Sequence, residues 1–432
     1  MPSHQLTSAN SRIAVIGAGI SGMGAAYHLS TDASVTLFES EPRLGGHART
    51  KMAGKRGDQP VDTGFIVFNY ANYPHMAALF AELDVPVIKS NMSFGASIGG
   101  GKLEYGLAGL GAIFAQRSNA VNPKFLGMIR DIIRFNKNAL RIAQDRTLTV
   151  GGFLKVLGTG DWFRDYYLLP LSGAIWSTPT QKIMDYPAHS MIQFFENHAL
   201  LGVTGQHQWY TVDGGSVEYA RRLGDAMTAR GVQMRLGTAV QSVRRTALEV
   251  QIKAWGGDWE TFDDVIFATH SDDTLALLAD PSGAENAALG AIKYQPNDII
   301  LHADETIMPK RRATWSSWVY TEDETTSSDQ IDLTYWMNSL QPIPMDDPHF
   351  VTLNTKRPIR DELIYDQVTL RHPVYDKAAL AAQDDVRSMN GTNNTWFTGA
   401  WMQHGFHEDG LASAVNVANA IKARNMIKVA AE

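Results

Sequence analysis

Three glycines and one carboxylate, Gly17, Gly19, Gly22 and Glu39, are the residues whose spacing most directly prescribes a chemistry. In Gly17-Ala18-Gly19-Ile20-Ser21-Gly22 the first glycine permits a tight turn and the second lets backbone approach a pyrophosphate. The third lets a helix pack closely on a strand. A pyrophosphate would then rest on the free N–H groups of a helix N-terminus, whose dipole favours negative charge. Glu39, 22 residues after Gly17, stands where a carboxylate accepts hydrogen bonds from a ribose diol and repels a 2′-phosphate, which disfavours NADP. The pattern alone leaves NAD and FAD open. Far downstream, His407, Glu408 and Asp409 bring an imidazole and two carboxyls together. Such a set suits proton transfer, because histidine titrates near neutrality and a carboxyl can be shifted upward. Glu408 and Asp409 equally suit helix capping, with His407 as a hydrogen-bonding spacer.

The elements that must position these residues are legible around them. Arg12 to Ile16 is an apolar run of the buried parallel-strand type, Met23 to Leu29 reads as a helix, and Ser34 to Phe38 is a second β-rich run ending on Glu39. Strand, glycine turn, helix, strand and acid form one βαβ unit. Asp213-Gly214-Gly215-Ser216 introduces a helix through Met227; strands are expected at Val232 to Leu236, Val240 to Arg244, Leu248 to Ala254 and Asp264 to Thr269. A last strand, Thr395 to Thr398, precedes a helix from about Leu411 to Ile421. Cofactor-type strands thus recur at the start, middle and end of the chain. The expected organisation is a discontinuous cofactor domain (11–80, 206–284 and 391–432) with a substrate domain inserted twice (81–205 and 285–390).

Glu39-Ser40-Glu41-Pro42-Arg43-Leu44-Gly45-Gly46-His47 resembles the second nucleotide-contact motif of the FAD superfamily that includes amine oxidases, protoporphyrinogen oxidases and phytoene desaturases. Val61-Asp62-Thr63-Gly64 is similar to that family's next strand end near the flavin. Phe397-Thr398-Gly399-Ala400-Trp401, followed by Gly405 to Ser413, resembles its closing motif, in which a helix N-terminus faces the flavin pyrimidine. The resemblance is strongest to a bacterial branch of NAD/FAD-binding proteins, related to a flavoprotein-like segment of plant cyclopropane fatty acid synthases. It implies non-covalent FAD held by Gly17, Gly19, Ile20, Ser21, Gly22, Glu39, Ser40, Arg43, Leu44, Gly45, Gly46, His47, Thr63, Gly64, Phe65, Val240, Gly399, Ala400, Asp409, Gly410 and Leu411. It puts His407 and Glu408 beside the flavin as catalytic candidates. His47 replaces the family's usual arginine, Ala400 an acid that holds the ribityl chain, and Ala414 a small residue that is often glycine. Amine oxidases of the superfamily carry a lysine near the flavin at the start of a substrate-domain strand; Asn297 stands there, and Lys293 is expected to be a helix-end surface residue.

Two features bear on the substrate. Trp315, Trp318, Tyr320, Tyr335 and Trp336 lie on strand-like runs and either line an apolar tunnel or belong to the core. Lys124 to Ala143 reads as an amphipathic helix, with Leu126, Ile129, Ile133 and Leu140 on one face and Arg130, Arg134, Lys137 and Arg141 on the other. From Arg117 to Arg146 there are seven basic residues and two acidic ones, in a chain of net charge −7. Such a helix either meets an anionic bilayer or presents a solvated face from within the substrate domain.

Composition sets the outer limits. At 432 residues, 44% hydrophobic and 19% charged, the chain is not a disordered one, and its acidic balance argues against nucleic acid as a partner. The absence of cysteine excludes disulfides, thiolate metal sites and a cysteinyl-linked cofactor, and no metal site is expected. The polar start has no signal-type apolar region and no stretch spans a bilayer, so a cytoplasmic, at most peripherally membrane-associated protein is expected. The expected fold class is α/β, a two-domain amine-oxidase-type flavoprotein with a Rossmann-like FAD domain and an inserted α+β substrate domain. The expected function is hydride removal from a C–H bond of an apolar, fatty-acyl substrate, by desaturation, dehydrogenation or double-bond isomerisation. The alternatives are an FAD-dependent amine oxidase and a non-catalytic flavin-containing protein that presents lipid to a separate enzyme.

Overall fold

The computed structural model describes residues 11–176, 183–198, 200–202, 207–246, 248–322 and 331–431. The polar start and the boundary expected at 205/206 lie outside the described residues, as does residue 432.

Arg12–Ile16 pairs in parallel with Ser34–Phe38 on one side and Asp264–Phe267 on the other; Gln233–Arg235 and Thr395–Phe397 complete a five-stranded parallel sheet. Because a strand's side chains alternate between faces and both faces of this sheet are covered, its inner runs Ile13–Ile16, Val35–Phe38 and Val265–Phe267 are almost wholly apolar. Ile13, Val15, Val35 and Leu37 face a core shared with helices Ile20–Leu29, Ser216–Ala229 and His407–Ala431. Ala14, Ile16, Phe38, Val265 and Phe267 face the opposite core, covered by an antiparallel sheet of Val240–Arg245, Val250–Ala254 and Trp259–Phe262. Helices Gly283–Ala291 and Lys377–Met389 also belong to that second core through Ala288, Leu289, Ala379 and Val386, although the expected boundaries put most of both in the substrate domain. The architecture is α/β, with a Rossmann-like core and an inserted region beside it.

The inserted region is built on a seven-stranded sheet in the order Ile364–Val374, Lys293–His302, Phe350–Leu353, Asp332–Trp336, Trp318–Glu322, Phe94–Ile98 and Leu103–Gly106. Its pairings are antiparallel except that between Trp318–Glu322 and Phe94–Ile98. Helices Pro123–Ile142, Val150–Leu157, Leu169–Trp176 and Ala188–Asn197 form the helical part of this half.

Pro123–Ile142 corrects the sequence reading. Its core stripe is Phe125, Met128, Phe135, Ala139 and Ile142, whereas Leu126, Ile133 and Leu140 are exposed. The helix carries two apolar stripes at helical spacing, and the one bearing two phenylalanines is buried, since it removes more apolar area from water. The aromatic group at 315–336 divides by strand alternation. Trp318 and Tyr335 pack edge-to-face at 5.3 Å on a cavity wall, Tyr320 is core, and Trp315 with Trp336 join a small separate cluster.

Candidate functional site

A cavity of about 1140 Å³ runs from the glycine turn of the parallel sheet into the inserted region. Three glycines at its nucleotide end do different physical work. Gly17 has φ +99°, and a Cβ there would meet the Ala268 carbonyl oxygen at 2.8 Å; a Cβ on Gly22 would sit 1.8 Å from the Gly17 carbonyl oxygen. Gly19 differs from both, because a Cβ there meets nothing within 4 Å and the residue lines the cavity. It is the N-cap of Ile20–Leu29 and no side chain caps that helix, so the first-turn N–H groups are available to a ligand. Gly19, Ile20 and Ser21 line the cavity; Gly22 lies behind it, where the helix crosses the strand.

Glu39 is held at the same end by the Ala18 N–H on Oε2 at 2.7 Å and by the Glu41 N–H and Ser40 hydroxyl on Oε1. The loop after it folds onto the glycine turn: the Gly45 N–H donates to the Ala18 carbonyl at 2.9 Å, and Gly45 and Gly46 both have positive φ. Arg43 closes this loop by donating to the Gly46 and Ala48 carbonyls while pairing with Glu41 at 2.8 Å. Arg43, Gly45, Gly46, His47, Thr63, Gly64, Phe65, Gly399 and Ala400 all line the cavity. Ser40, Leu44, Val240, Asp409, Gly410 and Leu411 do not. Ser40 buttresses Glu39, Leu44 packs against Gly224, Val240 packs on the second core, and Leu411 is buried against Gly24. A Cβ on Gly410 would meet Ser21 Oγ at 2.8 Å, so this glycine lets the closing helix approach the first one.

The two catalytic candidates are separated by the fold. His407 lines the cavity, stacks on Phe65 at 4.1 Å and 12°, and shares a 2.5 Å hydrogen bond between Nε2 and the Tyr219 hydroxyl. Burial lowers its pKa to about 3, so it is a neutral ring. Glu408 points elsewhere: its carboxylate accepts the His75 and Met76 N–H groups at 2.8 and 2.9 Å and contacts His75 Nδ1 at 2.7 Å. It therefore caps helix Pro74–Glu82, whose own N-cap residue, Tyr73, makes no side-chain cap. Asp409 accepts the His404 and Phe406 N–H groups at 3.1 and 2.9 Å, and burial raises its pKa to about 6.

The polar feature that sequence reasoning missed is a relay ending on His372. Asn354 accepts from the Asp298 N–H through Oδ1, so its amide nitrogen faces the Ile331 carbonyl and Asn297 Oδ1 at 2.8 Å. Asn297 in turn presents its amide nitrogen to the Gln295 carbonyl and, at 3.0 Å, to His372 Nδ1. Backbone groups fix both amide orientations, so His372 Nδ1 is an acceptor and the neutral ring carries its proton on Nε2. Burial lowers the His372 pKa to about 3. His372 sits opposite Gln295 across the Lys293–His302 and Ile364–Val374 pairing, and it lines the cavity. The signal available in sequence was Asn297 itself; its partners lie 57 and 75 residues away, just past one strand and within another. Lys293 is exposed and donates to the Gly290 carbonyl at 2.6 Å.

His47 packs between His270 and His372, with ring centroids at 5.7 and 5.8 Å, and its Nε2 is buried without a hydrogen-bond partner. A buried ring nitrogen left without a partner in a cavity wall is where a polar atom of a bound group belongs. Together with the open face of Gly19 and the uncapped helix, this fits an adenine dinucleotide carrying a polar chain past His47. His270, Asp272 and Asp273 are close enough to hold a metal ion, but the guanidinium of Arg371 already bridges the two carboxylates.

The far end of the cavity is apolar. Ile129, Ile132, Ile133, Leu171, Ile299 and Leu353 contribute to its wall, with Trp318 and Tyr335. Phe406 stacks on Phe194 at 4.9 Å, and Phe194 on His198 at 3.8 Å. Among the described residues, the carboxylates in the whole wall are Glu39 and Glu41 at the nucleotide end and Asp273, which Arg371 holds.

The family described as Flavin containing amine oxidoreductase matches residues 20–354. A Coproporphyrinogen III oxidase of Mycobacterium tuberculosis is 47% identical over 73 residues, which is 16% of this chain and only 15% of that protein. Wild-type putrescine oxidase bound to putrescine matches with a TM-score of 0.70 at 13% identity, covering 96% of this chain and 99% of that one. The CLA-producing fatty acid isomerase from P. acnes matches with a TM-score of 0.68 at 13% identity and the same coverages. At such identities both likenesses bear on the fold alone.

Proposed function

Because the chain belongs to the flavin-containing amine oxidoreductase family, and is thus an FAD-dependent oxidoreductase, we propose that it removes hydride from a C–H bond of an elongated, fatty-acyl-type substrate. The observation that carries the reading is the far half of the cavity, whose wall is mostly isoleucine, leucine and aromatic side chains with the neutral Asn91, Ser93 and Asn136 among them, and which has no free carboxylate among the described residues. An ammonium taken into that space would lose its hydration with no anion to replace it. FAD, when bound, supplies the hydride acceptor. Gly19, Ile20, Ser21 and Glu39 would hold its adenosine and pyrophosphate, and Gly46, His47, Thr63 and Gly399 its remaining length. Phe65 and His407 form a flat neutral wall that excludes water, and His372 holds an N–H at Nε2, kept in that tautomer by Asn297.

Amine oxidation is the second reading, and the family description and several of the structural relatives weigh towards it. The observation in its favour is the aromatic stack of Phe406, Phe194 and His198, whose faces suit an amine, charged or neutral. Anaerobic mixing separates the two. Long-chain fatty acids should bleach the flavin band near about 450 nm, or return a shifted double bond without bleaching, as flavin chemistry allows. Bleaching by alkyl amines alone would replace the acyl reading with the amine one. Retained lipid with neither outcome would support a lipid-presenting role instead.

A further inference from the structure

We propose that the outer face of helix Pro123–Ile142, bearing Leu126, Ile133 and Leu140, docks on an anionic lipid bilayer and opens the apolar cavity to it. No helix among the described residues is long and apolar enough to cross a membrane, so an enzyme drawing on bilayer substrate must meet it from the side.

The order of residues around this helix is the observation. At about 100° per residue, the sector next to the core stripe carries Ile132, Asn136 and Ile129, which line the cavity. The next about 40° carries Leu140, Ile133 and Leu126, spaced by seven and all exposed. Ile133 belongs to both sectors: it lines the cavity and is 60% exposed. Leu110, also in the cavity wall, does the same at 76%. The cavity therefore reaches the surface at a rim that is itself apolar.

The following about 60° holds Lys137, Arg130, Arg141 and Arg134. These basic residues flank the apolar strip and do not oppose it, which corrects the two-faced reading of the sequence. One of the two acids between Arg117 and Arg146 is Asp131, and it is buried on the core side. Arg130 and Arg134 stand 3.7 and 3.8 Å from the Asp131 carboxylate, and Arg134 also donates to the Gly158 carbonyl, but Lys137 and Arg141 have no ion pair among the described residues. An exposed apolar strip edged by cations, in a chain of net charge −7, matches a surface with negative headgroups over an apolar interior. A soluble acidic partner would account for the cations but not for the exposed leucines beside the cavity mouth.

The proposal rests on the acyl reading only for its purpose, and docking is measurable without turnover. The holoenzyme would be floated with vesicles of equal parts phosphatidylcholine and phosphatidylglycerol, and with vesicles of phosphatidylcholine alone. Two triple variants, Leu126→Gln/Ile133→Gln/Leu140→Gln and Arg130→Gln/Lys137→Gln/Arg141→Gln, would be compared after flavin absorbance and melting establish that they fold. Wild type should float with the anionic vesicles at low salt, release as salt rises, and bind neutral vesicles weakly. Each variant should partition at least about tenfold less, given that each basic residue contributes appreciably near an anionic surface. Failure of wild type to float, or flotation of either variant like wild type, overturns docking. So does concentration-dependent self-association that the apolar variant abolishes in place of vesicle binding, because the face would then be a self-interface. Any of these leaves the oxidoreductase reading intact, and inactivity towards acyl chains leaves docking intact.

Discussion

The two ends of the cavity are built on different principles. The nucleotide end is made of backbone: Gly17, Gly22, Gly45 and Gly46 set the path of the chain, Gly19 leaves its face open, and the first-turn N–H groups have no side-chain cap. The substrate end is made of side chains brought from many separate strands and helices, with one polar relay, Asn354–Asn297–His372, reaching its largely apolar wall at His372. A backbone site tolerates little change at a few positions, because a Cβ in the wrong place meets immovable atoms. A side-chain site can be rewritten by packing changes that leave the scaffold standing.

The largest expected effect would break this contrast at Gly22. Gly22→Ala places a Cβ 1.8 Å from the Gly17 carbonyl oxygen, and the variant should lose FAD and fold poorly. Gly19→Ala is its partner experiment, since nothing in the protein lies within 4 Å of the new Cβ. That variant should melt as the wild-type apoprotein does yet bind FAD weakly; equal FAD affinity would show that the ligand does not pass over Gly19. Isothermal titration of apoprotein with FAD reads both.

Glu39→Ala should weaken FAD by ~1.5–3 kcal/mol, the range for a hydrogen bond to a charged group. Because Glu39 also accepts the Ala18 and Glu41 N–H groups, one on each carboxylate oxygen, its removal also loosens the loop, and the melting of the apoprotein reads that part separately. An unchanged dissociation constant places Glu39 away from the ribose.

Acid sensitivity sharpens the comparison, for the buried imidazoles gather along the cavity. His270, His372 and His407 lie at about 3 against an ordinary 6.5, chiefly because burial disfavours the charged ring. Asp62 and Asp409 move the other way, to about 6 from 3.8, also through burial. Between pH 6.5 and 3 the unfolded chain binds more protons on the imidazoles, so stability falls with falling pH. Between 6 and 3.8 the two carboxyls bind protons preferentially in the folded state and offset part of that loss. Imidazoles outnumber carboxyls, with His198 at about 4 adding to them, so the melting temperature should decline steadily from pH 7 to 4. A rise over that interval contradicts the burial of these rings.

At the substrate end, Asn297→Leu should cost about 1–3 kcal/mol by orphaning the Asn354 amide and His372 Nδ1, while FAD content stays near wild type. Its specific signature is the His372 tautomer, which ¹⁵N imidazole shifts would report moving away from Nε2–H; an unmoved tautomer removes the relay. Lys293→Met is the smallest effect, within about 0.5 kcal/mol as for an exposed residue, and flavin reduction should be unaltered.

The nucleotide end was legible in sequence because its information is local. Gly17 to Gly22, Glu39 and the flanking strands lie within about thirty residues, the extent of a βαβ unit, and each type answers to a constraint imposed by its neighbours. The resemblance extended that legibility to Gly45, Gly46, Thr63 and Gly399, all of which line the cavity. It did not distinguish Glu408, which caps a helix from 332 residues away, from His407 beside it, which faces the cavity. Adjacent residues at a helix start point in different directions, and which direction meets the cavity depends on what is packed there.

What the sequence by itself determined, then, is the turn chemistry, the parallel strands buried on both faces and the helix at Pro123–Ile142, because dihedral limits and hydrophobic period act over a few residues. Only the tertiary structure decided which of that helix's two apolar stripes is buried, how strand alternation divides Trp318 and Tyr335 from Trp315 and Trp336, and where Asn297 finds its partners. Periodicity gives a residue its face but not its neighbour; the neighbour is set by which surfaces bury the most area together, and those surfaces come from distant parts of the chain.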